Sequence, residues 1–170
     1  MGHLQTSRLI SAPVAEVFEF ITNLERLPPT LAPDLSVDFP NGVPQIAEHA
    51  EFPLIYSRLG MSARVVLRIE ELKTNERLAY RQVSGVFKSW QHVQTLREHD
   101  AKTTLLTDFV DFKLPLGLLG ALFDDLLLRK DMQRILNARL ARIDDYFVTL
   151  GKDRGFGKST YQARDTGFGS

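Results

Sequence analysis

The chain has no cysteine in its 170 residues, which excludes disulfides and thiolate chemistry and leaves the redox compartment open. It has no net charge either, since 21 Lys and Arg balance 21 Asp and Glu. Without a global basic field there is no general attraction for nucleic acid, and none is expected as a partner. No apolar run approaches the roughly 18 residues of a membrane span, and the opening MGHLQTSRLISAP lacks the apolar centre of a signal peptide. A cytoplasmic protein without a transmembrane segment is expected. Met1-Gly2 is not followed by a second membrane signal, which argues against a myristoyl anchor. The histidines, His3, His49, His92 and His99, are scattered without HxH or HExxH spacing, so no metal site is expected. The acidic pairs Asp124-Asp125 and Asp144-Asp145 read as solvated helix face or helix cap. Gly157-Lys158-Ser159 looks like the end of a phosphate loop, but Lys152 stands where the first glycine belongs and no strand precedes it. No cofactor is expected.

What the chain does have is one long stretch of helical periodicity, Leu114 to Leu150. Met132, Leu136, Leu140, Ile143 and Phe147 form a stripe on one helix face that needs an apolar partner. A single helix over Leu118 to Leu150 would span about 50 Å, more than the roughly 40 Å diameter of such a domain. The main helix is therefore expected to begin near Asp124, after a break between Gly117 and Asp124. Arg129, Lys130, Arg134, Arg139 and Arg142 are expected on its outer, solvated side, with an anionic lipid surface or acidic partner as the less favoured reading. Residues 151–170, rich in Gly, Ser, Thr and charge, read as a flexible tail after a single domain over 1–150.

Upstream of the helix the pattern is mainly that of strands. Leu4 to Ser11 is a short strand, followed by a helix-start signal at Pro13 with Ser11 just ahead, and by Val14, Val17, Phe18 and Ile21 at helical spacing. Asn23 and the prolines of LERLPPTLAP limit the next segment to a turn or two. Strands are expected at Leu35 to Phe39, Ala47 to Leu59, Ser62 to Leu72, Arg77 to Val83, Phe87 to Glu98 and Lys102 to Leu114, with a tight hairpin at Leu59-Gly60-Met61. The short connections imply an antiparallel meander. The expected fold is α+β with a helix-grip arrangement: a sheet of about seven antiparallel strands wrapped around a long C-terminal helix, with two short helices after the first strand.

ISAPVAEVFEFITN (Ile10 to Asn23), GVFKSWQH (Gly85 to His92) and LLTDFVDFKLPLG (Leu105 to Gly117) together resemble the START-like (SRPBCC) superfamily, in its bacterial polyketide cyclase/dehydrase-like branch. The resemblance runs from Leu4 to about Tyr146. It implies a cavity lined by the strand pair that carries Trp90 and His92, and Thr107, Asp108 and Val110. It also implies an apolar or aromatic ligand such as a lipid, quinone or polyketide, and an enzymatic role in only some members.

Strand alternation is compatible with that implication. Trp90, His92, Gln94 and Leu96 share one face, Asp108, Val110 and Phe112 another, and Gln82 and Tyr80 belong to the neighbouring strand. The expected cavity wall comprises Tyr80, Gln82, Trp90, His92, Asp108, Val110 and Phe112, with Met132 and Leu136 from the helix. His92 and Asp108 are the candidate catalytic pair, His92 as general base and Asp108 as its orienter. The plainer account is that they satisfy each other inside a wall. The direction of Tyr56 and Arg58 depends on a register that sequence leaves open. Three functions follow: a carrier or sensor of an apolar or aromatic small molecule, a cyclase/dehydrase-like enzyme, and, least favoured, a protein-partner adaptor. The PLGLLG turn is the expected mouth of the pocket.

Overall fold

The computed structural model describes residues 1–115 and 125–159. Strand β1 (Gly2–Ile10) leads into helix α1 (Val14–Thr22) and two single 3-10 turns, Leu24–Arg26 and Pro28–Thr30. Six strands follow: β2 (Leu35–Asp38), β3 (Glu51–Arg58), β4 (Met61–Lys73), β5 (Arg77–Ser84), β6 (Ser89–Asp100) and β7 (Thr103–Lys113). Helix α2 (Asp125–Ser159) comes last. All neighbouring strands are antiparallel, in the order β1-β7-β6-β5-β4-β3-β2. The chain is thus a meander whose first strand pairs with its last, and the helix-grip arrangement is present.

Local chemistry accounts for these elements. Along β4, Val65, Leu67 and Ile69 are buried while Arg64, Val66, Arg68 and Glu70 are more open, as one wet face requires. The β3–β4 hairpin turns at Leu59 and Gly60, with φ of 50° and 78°, a two-residue turn whose twist suits the strands. Gly2 sits opposite Phe112 in the β1–β7 pair, and a Cβ there would lie 2.3 Å from the Phe112 ring. Its lack of a side chain leaves room for that ring. The stripe on α2 finds two partners. Leu140, Ile143 and Phe147 close a core with Ile10, Val17, Phe20, Ile21, Leu96 and Leu106, whereas Leu136 and Met132 meet Val110, Phe112, Trp90 and Phe87.

Two expectations change. Ser11 does not cap α1: its backbone N–H and hydroxyl donate to Asp144 Oδ1 at 3.0 and 2.9 Å, and Arg8 pairs with the same carboxylate at 3.2 Å. Asp144 is therefore a tie between β1 and α2 rather than solvated face. The connection after α1 holds the turn or two of helix expected there, in 3-10 form, since Pro28 and Pro29 lack the N–H groups a longer helix needs. Helix α2, expected to end at Leu150, is described over 35 residues and runs past Leu150 to Ser159. The domain diameter does not limit it, because each added residue completes another backbone hydrogen bond whether or not its side chain is covered. The break and pocket mouth expected over PLGLLG, and residues 160–170 of the expected tail, lie outside the described residues.

Candidate functional site

The long strands curl over the first half of α2, and between them lies a cavity of about 340 Å³. Most of its wall is aliphatic. Leu24, Leu27 and Leu31 contribute from the 3-10 turns and their flank, Leu54 and Leu67 from β3 and β4, and Met132 from α2. Strand alternation brings Phe52, Leu54, Tyr56 and Arg58 of β3 to the same face, with Leu54 opposite Val65 and Tyr56 opposite Ala63. That register turns Tyr56 and Arg58 inward, and both line the cavity.

Most of the polar lining falls into two groups. In the first, Tyr80 Oη lies 2.7 Å from His92 Nδ1, and His92 Nε2 lies 3.4 Å from Asp108 Oδ1 without hydrogen-bonding geometry. Gln94 Nε2 donates to Asp108 Oδ1 at 2.8 Å, and Arg139 Nη1 donates to Asp108 Oδ2 at 3.3 Å. The cross-strand register explains the spacing: Gln94 stands directly opposite Asp108, while His92 faces Val110 and reaches Asp108 diagonally. Burial by itself pushes the Asp108 carboxyl up, but His92, Arg139 and Gln94 outweigh it and hold the group below the usual carboxylate value. Burial pushes the Tyr56 and Tyr80 hydroxyls up, with the Arg139 charge pulling back, so both stay protonated donors.

A neutral His92 has one consistent proton arrangement here. The ionised Asp108 favours a proton on Nε2, which leaves Nδ1 to accept from the Tyr80 hydroxyl. Nε2 is buried. Both ring nitrogens are thereby engaged within the group, and Tyr80, His92, Gln94 and Arg139 all line the cavity.

The second group holds the start of α2 to the sheet. Arg58 donates to Asp34 Oδ2 at 2.8 Å and grips both carboxylate oxygens of Asp131, one of them at 3.1 Å. Arg134 joins from the next turn, 3.0 Å from Asp131. The hydrogen bonds from Arg58 hold the carboxyls of Asp34 and Asp131 below their ordinary value.

Of the residues expected in the wall, Tyr80, Gln82, Trp90, His92, Val110, Met132 and Leu136 line the cavity. Asp108 does not: it is fully buried behind His92 and Gln94. Phe112 does not either, because it packs under Gly2 and edge-on to Phe87, ring centroids 5.7 Å apart. Thr107 points to the opposite face of β7, where its hydroxyl shares a 3.0 Å hydrogen bond with Ser7. Gln82 lines the wall but uses its amide to brace the β5–β6 turn, donating to the Phe87 carbonyl at 2.7 Å. Trp90 lies 5.5 Å from Tyr80 and edge-on to His92 at 5.7 Å. Arg139 is the main residue that sequence reasoning misplaces: it is 8% exposed and lines the cavity instead of facing solvent. Its spacing held the signal, three residues after Leu136 and four before Ile143, inside the apolar stripe. Among the described residues no three His, Cys, Asp or Glu side chains gather as metal ligands, and no helix is long and apolar enough to cross a membrane.

The fold recurs in solved structures at low identity. TTHA0849 from Thermus thermophilus aligns with a TM-score of 0.68 at 18% identity, over 88% of this chain and 99% of that one. A START superfamily protein from Mycobacterium smegmatis aligns at 0.62 and 12% identity, over 87% and 98% of the two chains. Ara h 8.0201 gives 0.63 and 15%, again over 87% and 98%. No curated protein matches the sequence. A family model does, the one described as polyketide cyclase / dehydrase and lipid transport, over residues 1–148. With that match across nearly all of the described chain, the protein belongs to the polyketide cyclase / dehydrase and lipid transport family, and its helix-grip fold is shared with a START superfamily structure.

Proposed function

We propose that this chain is a cytoplasmic carrier or sensor that holds an apolar or aromatic small molecule between its sheet and α2. The observation that carries this reading is the cavity itself: about 340 Å³, walled mainly by leucine, isoleucine, valine and aromatic side chains, with few polar groups among them. That volume lies within the range of about 300–1,000 Å³ common for small-molecule sites, and a few placed polar groups in an apolar wall are what orients a ligand. Membership of a family described by both cyclase/dehydrase and lipid transport supports a ligand of this class. Native mass spectrometry of protein purified from its source tests the proposal. A retained apolar or aromatic molecule is the expected result, released when the cavity is filled by Ala63→Phe; protein that neither retains nor takes up such a compound would remove the reading.

A second reading, a cyclase/dehydrase-like enzyme, is favoured by the run of polar side chains Tyr80, His92 and Asp108. In it His92 is the base, and the Tyr80 hydroxyl stands between it and the substrate, so a proton leaving a poly-ketone would pass through Tyr80 Oη. His92→Ala should abolish turnover of a poly-β-ketone probe while only weakening its binding. Unchanged product formation in that variant would eliminate His92 as the base.

A further inference from the structure

The unusual feature of the cavity is a buried cation with most of its donors unused. A guanidinium carries five N–H donors and no acceptor, and burying one unsatisfied is costly. Arg139 is 8% exposed, and among the described residues its hydrogen bonding consists of the single 3.3 Å contact from Nη1 to Asp108. Asp108 is not Arg139's alone, since Gln94 at 2.8 Å and His92 at 3.4 Å share its other oxygen. Arg139 also lines the cavity, together with Tyr56 and Tyr80. Both phenols stay protonated and both feel the Arg139 charge.

We infer that the ligand is an amphiphile with a carboxylate head, seated on the free face of Arg139 beside the Tyr56 hydroxyl, with its apolar body along the leucine-lined wall. This rests on the ligand-binding reading above and narrows it. A planar fork of N–H donors matches the two oxygens of a carboxylate better than a single alcohol or ether oxygen. The other cation of the lining, Arg58, is already occupied by Asp34 and both oxygens of Asp131. Arg139 is therefore where an incoming anion finds open donors. The aliphatic wall from Leu24, Leu27, Leu31 and Leu54 supplies the burial that holds the rest of the molecule.

The test uses Trp90, the chain's single tryptophan and a cavity-lining residue, as a fluorescence reporter. The full chain is titrated with decanoate, methyl decanoate and 1-decanol, each below its aggregation limit. Decanoate is expected to bind about tenfold or more tighter than the other two, and Arg139→Gln should erase that preference. Because Arg139→Gln leaves Asp108 without its cation and can unfold the chain, Asp108→Asn is the second variant. It frees Arg139 from its counter-charge, so decanoate affinity should rise severalfold while 1-decanol affinity stays the same. Equal binding of all three probes, or a decanoate preference that Asp108→Asn does not increase, would overturn the carboxylate inference and leave the cavity reading standing. No binding of any of the three would overturn both.

Discussion

Helix α2 meets two different interiors along its length. From Leu140 onward its buried side chains interlock with α1, β6 and β7: Leu140 and Ile143 are at most 1% exposed, and Phe20 and Phe147 pack with ring centroids 5.4 Å apart. One and two turns earlier, Leu136 and Met132 line a cavity. The two halves carry the same amphipathic stripe and lie on the same sheet, so helix amphipathicity does not separate them. The difference is what stands opposite. Helix α1 packs against the later half in one core, whereas Leu24, Leu27 and Leu31, from the two 3-10 turns and their flank, line the cavity beside the earlier half. Arg139 and Leu140, adjacent in sequence, mark the boundary, one directed to the cavity and the other to the packed core.

That contrast makes graded predictions. The largest effect belongs to the boundary: Asp108→Ala strands Arg139 as an uncompensated buried charge and should destabilise the fold by about 3–5 kcal/mol, read by urea unfolding. Its pH counterpart has a definite sign. The Asp108 carboxyl titrates lower in the folded chain than its ordinary 3.8, so its contribution is fully present above that value and is lost as pH falls through the folded value. Asp34 and Asp131 are lowered too and act in the same direction. Thermal unfolding followed down from pH 5 should show a falling melting temperature, and a smaller fall in Asp108→Asn; equal slopes would detach Asp108 from acid stability.

Next comes the direct comparison of the halves. Leu140→Ala should cost about 2–5 kcal/mol because it opens a hole in close packing, whereas Met132→Ala, which enlarges space already empty, should cost under about 1.5 kcal/mol. Similar losses at both positions would show the cavity half to be as tightly packed as the core. Ala63→Phe should leave stability within about 1 kcal/mol of the parent and abolish uptake of an apolar dye, since it fills space without displacing a core side chain. The smallest change is Ser11→Ala, which removes one hydrogen bond to Asp144 and should cost about 0.5–1.5 kcal/mol.

Much of the site is legible in advance where strand alternation governs it. Tyr80, Trp90, His92 and Val110 follow a period of two on strands whose hydrophobic pattern allows one register, so their facing can be reasoned out. Asp108 shares that face yet lies behind the wall, because Gln94 directly opposite and His92 on the diagonal cover it. Arg139 escapes sequence reasoning for a different reason. A charged side chain in an apolar stripe is ordinarily taken to reach for water, and only the distant carboxylate of Asp108 makes its burial tolerable. Tyr56 and Arg58 depend on pairing between β3 and β4, which local sequence does not express.

The order of elements, the antiparallel meander, the stripe on α2 and the resemblance that led to the family were all determined by the sequence itself, because periodicity, turn residues and prolines act over a few neighbouring positions. Whether the space under α2 was filled or hollow was decided by tertiary structure alone. Void volume depends on how far α1 and the 3-10 turns reach across the sheet, and the burial of Arg139 depends on a partner 31 residues away in the chain. Contacts of that kind are set by the summed geometry of the fold, and no local pattern encodes them.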